Sequence, residues 1–354
     1  MGKHITGQRR FTLLGLLAGL GMVLAWMGHS DSVAIATDIA TGIATDIATD
    51  IATDIAAESV SVTSASGDAG ALSQVGFIEG IILGLTQGLT EFLPISSTAH
   101  LKVVPVALGM GDPGVALTAV LQLGSVAAVL SYFREDLLNL MRGTKQAIAE
   151  KDYQNRDFRI TLGILLGTVP ILIVGLFIKI FVPDYDNSPL RSVTSIAIAS
   201  IVMAVLLAAA EQVGSRARGY GQLGLKDGLL IGAAQALAVF PGVSRSGSTL
   251  TAGLFLGIER AAAARFSFLL GIPAITIAGV IEFPTLLAGS YGLREVGVLA
   301  VALLASVVSS YWAIAFLLKF LKTQSTWVFV AYRLIFGVGL LIALNVGWLS
   351  EGVG

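Results

Sequence analysis

Two segments of this sequence place polar side chains that can bind an anion inside otherwise apolar surroundings. The first, Gln87–Leu101, reads QGLTEFLPISSTAHL and carries a carboxylate, neighbouring hydroxyls and a histidine. The second, Pro241–Leu250, reads PGVSRSGSTL and carries hydroxyls around an arginine. The windows Glu79–Thr98 and Asp227–Ser246 align without gaps, which indicates an internal repeat. The identical pairs are Gly80 and Gly228, Gly84 and Gly232, Gln87 and Gln235, Leu89 and Leu237, Phe92 and Phe240, and Ser96 and Ser244.

Each segment has the pattern of a broken helix. Pro94 interrupts the first and Pro241 the second, and hydroxyl residues follow where a new helix is expected to begin. A helix start offers free N–H groups to an anion, so two facing starts suit a diphosphate. Arg245 adds a guanidinium that grips phosphate oxygens bidentately. The residues predicted to bind phosphate are Ser96, Thr98, Ser244, Arg245, Ser246, Gly247 and Thr249.

One histidine has the spacing of a catalytic base. His100 lies three residues beyond Ser97 and four beyond Ser96, so on a helix its imidazole can reach either hydroxyl. This is the spacing of a nucleophile and its base.

A carboxylate and an amide precede the first break. Placing the charged Glu91 carboxylate in apolar surroundings costs free energy unless it pairs with a cation, either Arg245 or a metal ion. Gln87 lies one helical turn earlier and offers a neutral oxygen to the same ion. Oxygen ligands of this kind suit Mg²⁺ or Ca²⁺ bridged to phosphate, so we predict a divalent cation held by Glu91 and Gln87.

The composition identifies the class of protein that must position these groups. Of 354 residues, 55% are hydrophobic and only 13% are charged, and the mean hydropathy is +0.83. These values predict a membrane protein rather than a soluble domain. The net charge of −1 argues against a nucleic-acid partner. The absence of cysteine excludes disulfides and thiolate chemistry.

The first 74 residues differ in character from the rest. Residues 1–30 carry a basic start and an apolar run, which is the pattern of a signal peptide or of a signal anchor, an extra hydrophobic helix. Residues 31–74 repeat Ile-Ala-Thr-Asp and then become rich in Ser, Ala and Gly. We interpret this region as a low-complexity linker.

The remaining chain is predicted to be an all-α polytopic membrane protein made of two repeats, residues 75–225 and 226–354. Basic residues assign the loops 134–159 and 211–226 to the cytoplasm. The predicted spans are 115–133, 160–181, 194–210, 266–282, 297–318 and 327–348. The remaining charges near the membrane are expected to extend outward at the interface; they are Lys179, Glu211, Arg260 and Arg265.

The two motif segments are too short to cross a membrane. Each is predicted to form a re-entrant hairpin, Gly76–Leu93 with Ser97–Leu108 from outside and Gly228–Phe240 with Gly247–Gly257 from the cytoplasm. One hairpin plus three spans makes an odd number of crossings, so the second repeat is inverted relative to the first. The hairpin tips are expected to meet near the midplane.

The motifs resemble those of the undecaprenyl-diphosphate phosphatase family, which is associated with bacitracin resistance. Gln87–His100 is similar to the family's Glu/Gln-x-x-x-Glu motif followed by Ser-Ser-Thr-x-His, and Pro241–Thr249 is similar to Pro-Gly-x-Ser-Arg-Ser-Gly-x-Thr. The resemblance covers about residues 76 to 348. Residues 1–74 depart from it, because family members begin close to the first motif.

The resemblance implies removal of the terminal phosphate from a polyprenyl diphosphate, which recycles the lipid carrier for cell-wall polysaccharide synthesis. It implies Ser97 as nucleophile, His100 as base or proton shuttle, Glu91 and Gln87 as the metal-supporting pair, and Arg245 in the phosphate clamp. It also implies that the protein lies in the bacterial inner membrane and that its site opens to the outer face. The implied partners are the lipid substrate and the lipid bilayer. Direct attack by Ser97 and activation of water by His100 both remain open, and a homodimer is compatible with the sequence.

Other classes of protein account for parts of the pattern. A polyprenyl-phosphate flippase or another inverted-repeat transporter also has broken helices at the midplane, but a carrier needs no nucleophile and base at helical spacing. A lipid phosphatase with a histidine nucleophile needs two histidines in its site, whereas this core has His100 alone. A structural membrane scaffold does not explain the paired motifs.

Overall fold

The computed structural model describes Leu72, Tyr185 and residues 74–110, 114–182, 188–288 and 291–351, without the side chains of 114–116 and 281–288. The signal peptide or anchor predicted for residues 1–30, and nearly all of the linker, lie outside the described residues.

The described chain is helical, which confirms the predicted class. Its only extended pairing is an isolated bridge between Arg218 and Ile258. The helices are α1 Phe77–Phe92, α2 Ser97–Ala107, α3 Gly114–Tyr132, α4 Arg134–Glu150, α5 Arg156–Phe181, α6 Val193–Val213, α7 Leu225–Ala236, α8 Arg245–Phe255, α9 Arg260–Ala288, α10 Leu293–Phe320 and α11 Trp327–Asn345. Short 3₁₀ helices occupy Pro189–Arg191, Tyr220–Gln222 and Leu237–Val239.

Five of the described helices are long and apolar enough to cross a membrane, and a sixth span is counted if α3 and α4 are taken together. The chain is therefore an integral, multi-pass membrane protein. Helices α3 and α4 meet at a bend of 63°. Helix α4 fills most of the segment that charge counting treats as a cytoplasmic loop. The charged loop thus contains an amphipathic helix of 17 residues, because its apolar positions recur at helical spacing.

The two short helices before the breaks pack in a reciprocal way. Helix α1 packs along α10, and α7 packs along α5. A Cβ on Gly84 would collide with the backbone of α10 at Ala302, and a Cβ on Gly232 would collide with the backbone of α5 at Gly167. The repeated glycines are therefore explained by close helix contact, as in other membrane helices.

An aromatic cluster packs against the end of α1, next to the first break. Phe92, the last residue of α1, packs edge-on against Phe268 with ring centroids 5.4 Å apart. The rings of Phe133 and Phe268 also pack edge-on, with centroids 6.2 Å apart. All three rings are buried, so close packing fixes the position of the end of α1.

Glu211 does not extend to the interface, so its expected role as an outward charge is wrong. Its side chain is buried and accepts hydrogen bonds from Arg216 at 2.9 Å and from the hydroxyl of Thr326 at 2.8 Å. It also pairs with Arg260. A buried carboxylate needs such partners, and here they join the ends of α6, α9 and α11.

Candidate active site

The two breaks form tips with the same unusual backbone. The first tip is residues 93–96, between α1 and α2; the second is residues 240–244, ahead of α8. Ser96 has φ 78° and Ser244 has φ 71°, a left-handed conformation that is uncommon for a residue with a side chain. These serines are equivalent positions of the sequence repeat. The same local signal therefore produces the same turn twice.

Glu91 joins the two tips through its carboxylate. Its Oε2 accepts a hydrogen bond of 2.6 Å from the hydroxyl of Ser97 and one of 3.2 Å from Nε2 of Gln87. Its Oε1 accepts a 3.2 Å ion-pair contact from Nη2 of Arg245. Both charged side chains are about nine-tenths buried, with 9% and 10% exposed. Of the two cation partners predicted for Glu91, the structure shows Arg245.

A cavity of about 200 Å³ opens beside this carboxylate and is called here the site cavity. Its polar lining comes from the two tips, the helix ends next to them and α3, and its apolar lining comes from α9, the second tip with the 3₁₀ turn before it, and one residue of α5. The polar residues are Glu91, Ser96, Ser97, Thr98, Gln122, Ser244 and Arg245, and the apolar residues are Ile171, Ala238, Phe240, Ala274, Ile275 and Ala278. A charged head and an apolar tail can both be accommodated by such a lining.

Three of the predicted phosphate ligands lie behind the cavity rather than in its lining. The hydroxyl of Ser246 donates to the carbonyl of Leu93 at 2.9 Å, so it ties the second tip to the first. Thr249 donates to the carbonyl of Arg245 at 2.7 Å and is fully buried. The backbone N–H of Gly247 donates to the Ser244 hydroxyl, which caps α8. These groups fix the tip that carries Arg245.

His100 faces away from the serine hydroxyls. Its Nδ1 lies 2.7 Å from the carbonyl oxygen of Ser96, and its Nε2 lies 2.6 Å from the hydroxyl of Tyr332. The ring also stacks on Phe336 with centroids 4.4 Å apart. The structure thus does not show the expected contact between His100 and the Ser97 hydroxyl. Packing of α2 against α11 turns the imidazole toward α11.

Arg333 contacts both tips and was missed by motif reasoning. Its side chain on α11 is 1% exposed, and it donates to main-chain carbonyls of both tips. The distances are 3.0 Å to Pro94, 2.6 Å to Gly242 and 3.1 Å to Val243. A charged residue inside an apolar span is the sequence signal that points to it.

Gln122 is a second residue missed by motif reasoning. Its Oε1 accepts a 3.2 Å hydrogen bond from Nε2 of Gln87, which also lies 3.4 Å from the hydroxyl of Ser125. Gln87 therefore presents its amide nitrogen to Glu91 and Gln122. Glutamine within an otherwise apolar span was the available signal.

The donor set can be compared with the needs of a divalent cation. Among the described residues, no group of three or more His, Asp and Glu side chains is arranged to hold a metal. Glu91 supplies one carboxylate to the site cavity and Gln122 an amide oxygen. Mg²⁺ typically binds one or two carboxylates and completes its shell with phosphate oxygens and water. The residues fit a cation that shares its coordination with a diphosphate.

Comparison with known proteins gives a consistent set of relatives. A family model described as bacitracin resistance protein BacA matches residues 80–339. A protein of a Nostoc species named undecaprenyl-diphosphatase is 57% identical over 288 residues, covering 81% of this chain and 90% of the relative. Proteins of the same name from Synechococcus elongatus and Trichodesmium erythraeum are 61% and 53% identical, each over 77% of this chain and over 95% and 88% of the relative.

Proposed function

This chain belongs to the bacitracin resistance protein BacA family, and we propose from this membership and from the site cavity that it is an undecaprenyl-diphosphatase. It hydrolyses undecaprenyl diphosphate to the monophosphate and inorganic phosphate. This activity regenerates the lipid carrier used in cell-wall polysaccharide synthesis. The relatives are named undecaprenyl-diphosphatase, which is a hydrolase, so the transporter alternative is not favoured.

The single observation that carries the mechanism is the bridge formed by Glu91. One carboxylate contacts both the hydroxyl of Ser97 and the guanidinium of Arg245. This places a nucleophile, a proton acceptor and a fixed positive charge at one wall of the cavity. Those are the components that phosphoryl transfer requires.

The chemical steps follow from these contacts. Glu91 takes the proton of Ser97 as the serine oxygen attacks the terminal phosphorus. The bond between that phosphorus and the bridging oxygen breaks, and undecaprenyl monophosphate leaves with the electron pair. Arg245 neutralises charge that develops on the phosphoryl oxygens. Glu91 first passes the Ser97 proton to the departing monophosphate. It then deprotonates water, which attacks the phosphoserine; the bond between phosphorus and the Ser97 oxygen breaks, Ser97 takes this proton back from Glu91, and inorganic phosphate is released.

His100 supports this arrangement from outside the cavity. Its bond to the Ser96 carbonyl fixes the last residue of the first tip, and its bond to Tyr332 anchors this tip to α11. The contacts favour direct attack by Ser97 over activation of water by His100. We therefore assign His100 a positioning role.

A divalent cation is part of the proposal. Glu91 and the amide of Gln122 would hold it together with diphosphate oxygens, and Gln87 would orient Glu91. When bound, such a cation supplies Lewis-acid stabilisation of the phosphate charges.

The inverted repeat and the outward-facing site also belong to the proposal. The reciprocal packing of α1 on α10 and α7 on α5 supports two halves related by an axis in the membrane plane. The basic segment around α4 supports a cytoplasmic location for that end of the molecule, with the tips opening to the outer face of the bacterial inner membrane.

The test is phosphate release from undecaprenyl diphosphate by the purified full-length chain. We expect Ser97→Ala to lose turnover by at least about a thousandfold, since it removes the nucleophile. Ser131→Ala is the matched control, because the Ser131 hydroxyl is exposed and bonds only to its own helix at Ala127. A fully active Ser97→Ala protein would exclude the serine mechanism. An inactive wild type that moves the lipid across vesicles would favour a transporter.

A further inference from the structure

A second cavity of about 420 Å³, called here the arginine cavity, lies beside the first turns of α9. Its lining is mostly polar and includes Arg142 on α4, Arg156 at the start of α5, Arg265 on α9 and Tyr220. Arg265 precedes Ala274, the first α9 residue of the site cavity, by nine positions, or about 14 Å along the helix. The two cavities are therefore separate and line different levels of α9.

The guanidinium groups are arranged around one aromatic ring. Arg156 lies 5.3 Å and Arg265 lies 4.9 Å from the centroid of the Tyr220 ring. Cation–π contacts of this length hold the two cations near each other despite their like charge. Burial raises the pKa of Tyr220 to about 12, so its phenol keeps its proton and can donate a hydrogen bond.

One hydrogen-bond donor in this cavity is buried without an acceptor in the described part of the chain. Arg265 pairs with Asp136 through Nη2, but its buried Nε has no acceptor among the described residues. In the part of the chain that the structure describes, Arg142 and Arg156 form no ion pair with a carboxylate. Asp157 also lines the cavity, so three arginines face two aspartates and the balance is positive.

A buried guanidinium Nε without an acceptor in the described structure and a net positive charge suit an anion rich in acceptor oxygens. Planar guanidinium groups match phosphate oxygens bidentately, whereas a carboxylate offers fewer acceptors to three arginines. The two aspartates select against a large polyanion. The charge bias of the sequence places this end of the molecule at the cytoplasmic leaflet, where anionic lipid headgroups concentrate.

We propose that the arginine cavity is a second binding site, distinct from the catalytic one, for a phosphate group. The group is either the headgroup of an anionic phospholipid or a free phosphate anion. Binding there bridges α4, α5 and α9 and stabilises the end of α9 that leads to the site cavity.

The experiment measures hydrogen–deuterium exchange of the full-length chain in lipid nanodiscs. In phosphatidylcholine discs, inorganic phosphate is added; in a second arm, the discs contain phosphatidylglycerol without added phosphate. The readout is protection of the backbone amides at 218–223 and 155–158, which border the arginine cavity and not the site cavity. Phosphate held only at the catalytic tips leaves these amides unchanged.

The variant is Arg142→Gln combined with Arg156→Gln, and the control is Lys145→Gln, an exposed cation on α4 outside the cavity lining. We expect the double variant to weaken binding by about tenfold or more, because it removes two charge-assisted donors. The control is expected to bind within about twofold of the wild type. Protection by inorganic phosphate identifies a free anion, and protection only by phosphatidylglycerol identifies a headgroup.

Three results would overturn the proposal. They are an absence of protection in both arms, equal protection in the double variant, and an equal loss in the Lys145→Gln control. Phosphatase activity, measured in parallel, is expected to persist in the double variant, so failure of this proposal is distinct from failure of the catalytic one.

Discussion

Substituting Gly271 by alanine tests whether the position of the Arg245 guanidinium determines the rate. Gly271 lies on α9 against this guanidinium, and an added Cβ would overlap Nη1 of Arg245 far inside van der Waals contact. Carbon and nitrogen need a separation of about 3.5 Å, so the guanidinium must retreat by about 2 Å. That movement separates Nη2 from Glu91, which it contacts at 3.2 Å.

We expect Gly271→Ala to lower the rate of catalysis and to leave the free energy of unfolding nearly unchanged. A misplacement of about 1 Å at a reacting centre already lowers the rate by about a hundredfold, which is about 2.7 kcal/mol in the barrier. The overlapped atom is the end of a flexible side chain, so the backbone need not move. We expect the free energy of unfolding to change by less than about 1 kcal/mol, or about 2–4 °C in Tm.

The assay is the kcat/KM for phosphate release, with thermal denaturation measured in the same detergent. Gly279→Ala is the matched control on α9, because its Cβ would meet only the side chain of Leu123 at 3.3 Å. A double-mutant cycle with Arg245→Ala adds a second criterion, since Gly271→Ala should have no further effect once the guanidinium is gone. Full activity of Gly271→Ala, or an undiminished loss in the Arg245→Ala background, would refute the reasoning.

Three further outcomes follow from the site. Glu91→Gln should retain its fold but lose turnover by about 10²–10⁴-fold at saturating substrate, because the proton acceptor is removed; unchanged turnover would exclude this role. Arg333→Met should lower the free energy of unfolding by about 3 kcal/mol or more in thermal denaturation, since buried carbonyls at Pro94 and Gly242 lose their donors; a wild-type Tm would contradict it. A chelator should abolish phosphate release and Mg²⁺ should restore it, whereas activity that persists in the chelator would argue against a metal.

The local features of the site were predictable from sequence because their causes are local. Pro94 and Pro241 each follow the end of a helix, and the serines after them precede the start of a new one. The pairing of Glu91 with Arg245 was one of two predicted outcomes, since a buried carboxylate requires a cation. The close approach of α1 and α7 to their neighbours was likewise encoded in repeated glycines.

Features that depend on distant packing were not predictable in the same way. The spacing of His100 and Ser97 permits a contact, but the rotation of α2 against α11 directs the imidazole to Tyr332. The partners of Arg333 are main-chain carbonyls, which no side-chain pattern reveals. Charge counting treated the segment containing α4 as a loop, because the number of basic residues reports the side of the membrane and not the local conformation.

The hydrogen bonds from Arg333 to both tips restrict how a lipid reaches the site cavity. Since one guanidinium holds the main chain of the two tips together, we expect them to move as a single body and not to part during turnover. Helices α5 and α9 contribute apolar residues to the lining of the site cavity, including Ile171 and Ala278. We expect the isoprenoid chain to enter laterally from the bilayer beside these two helices, with the diphosphate end entering first. The regenerated monophosphate carrier is expected to leave by the same route.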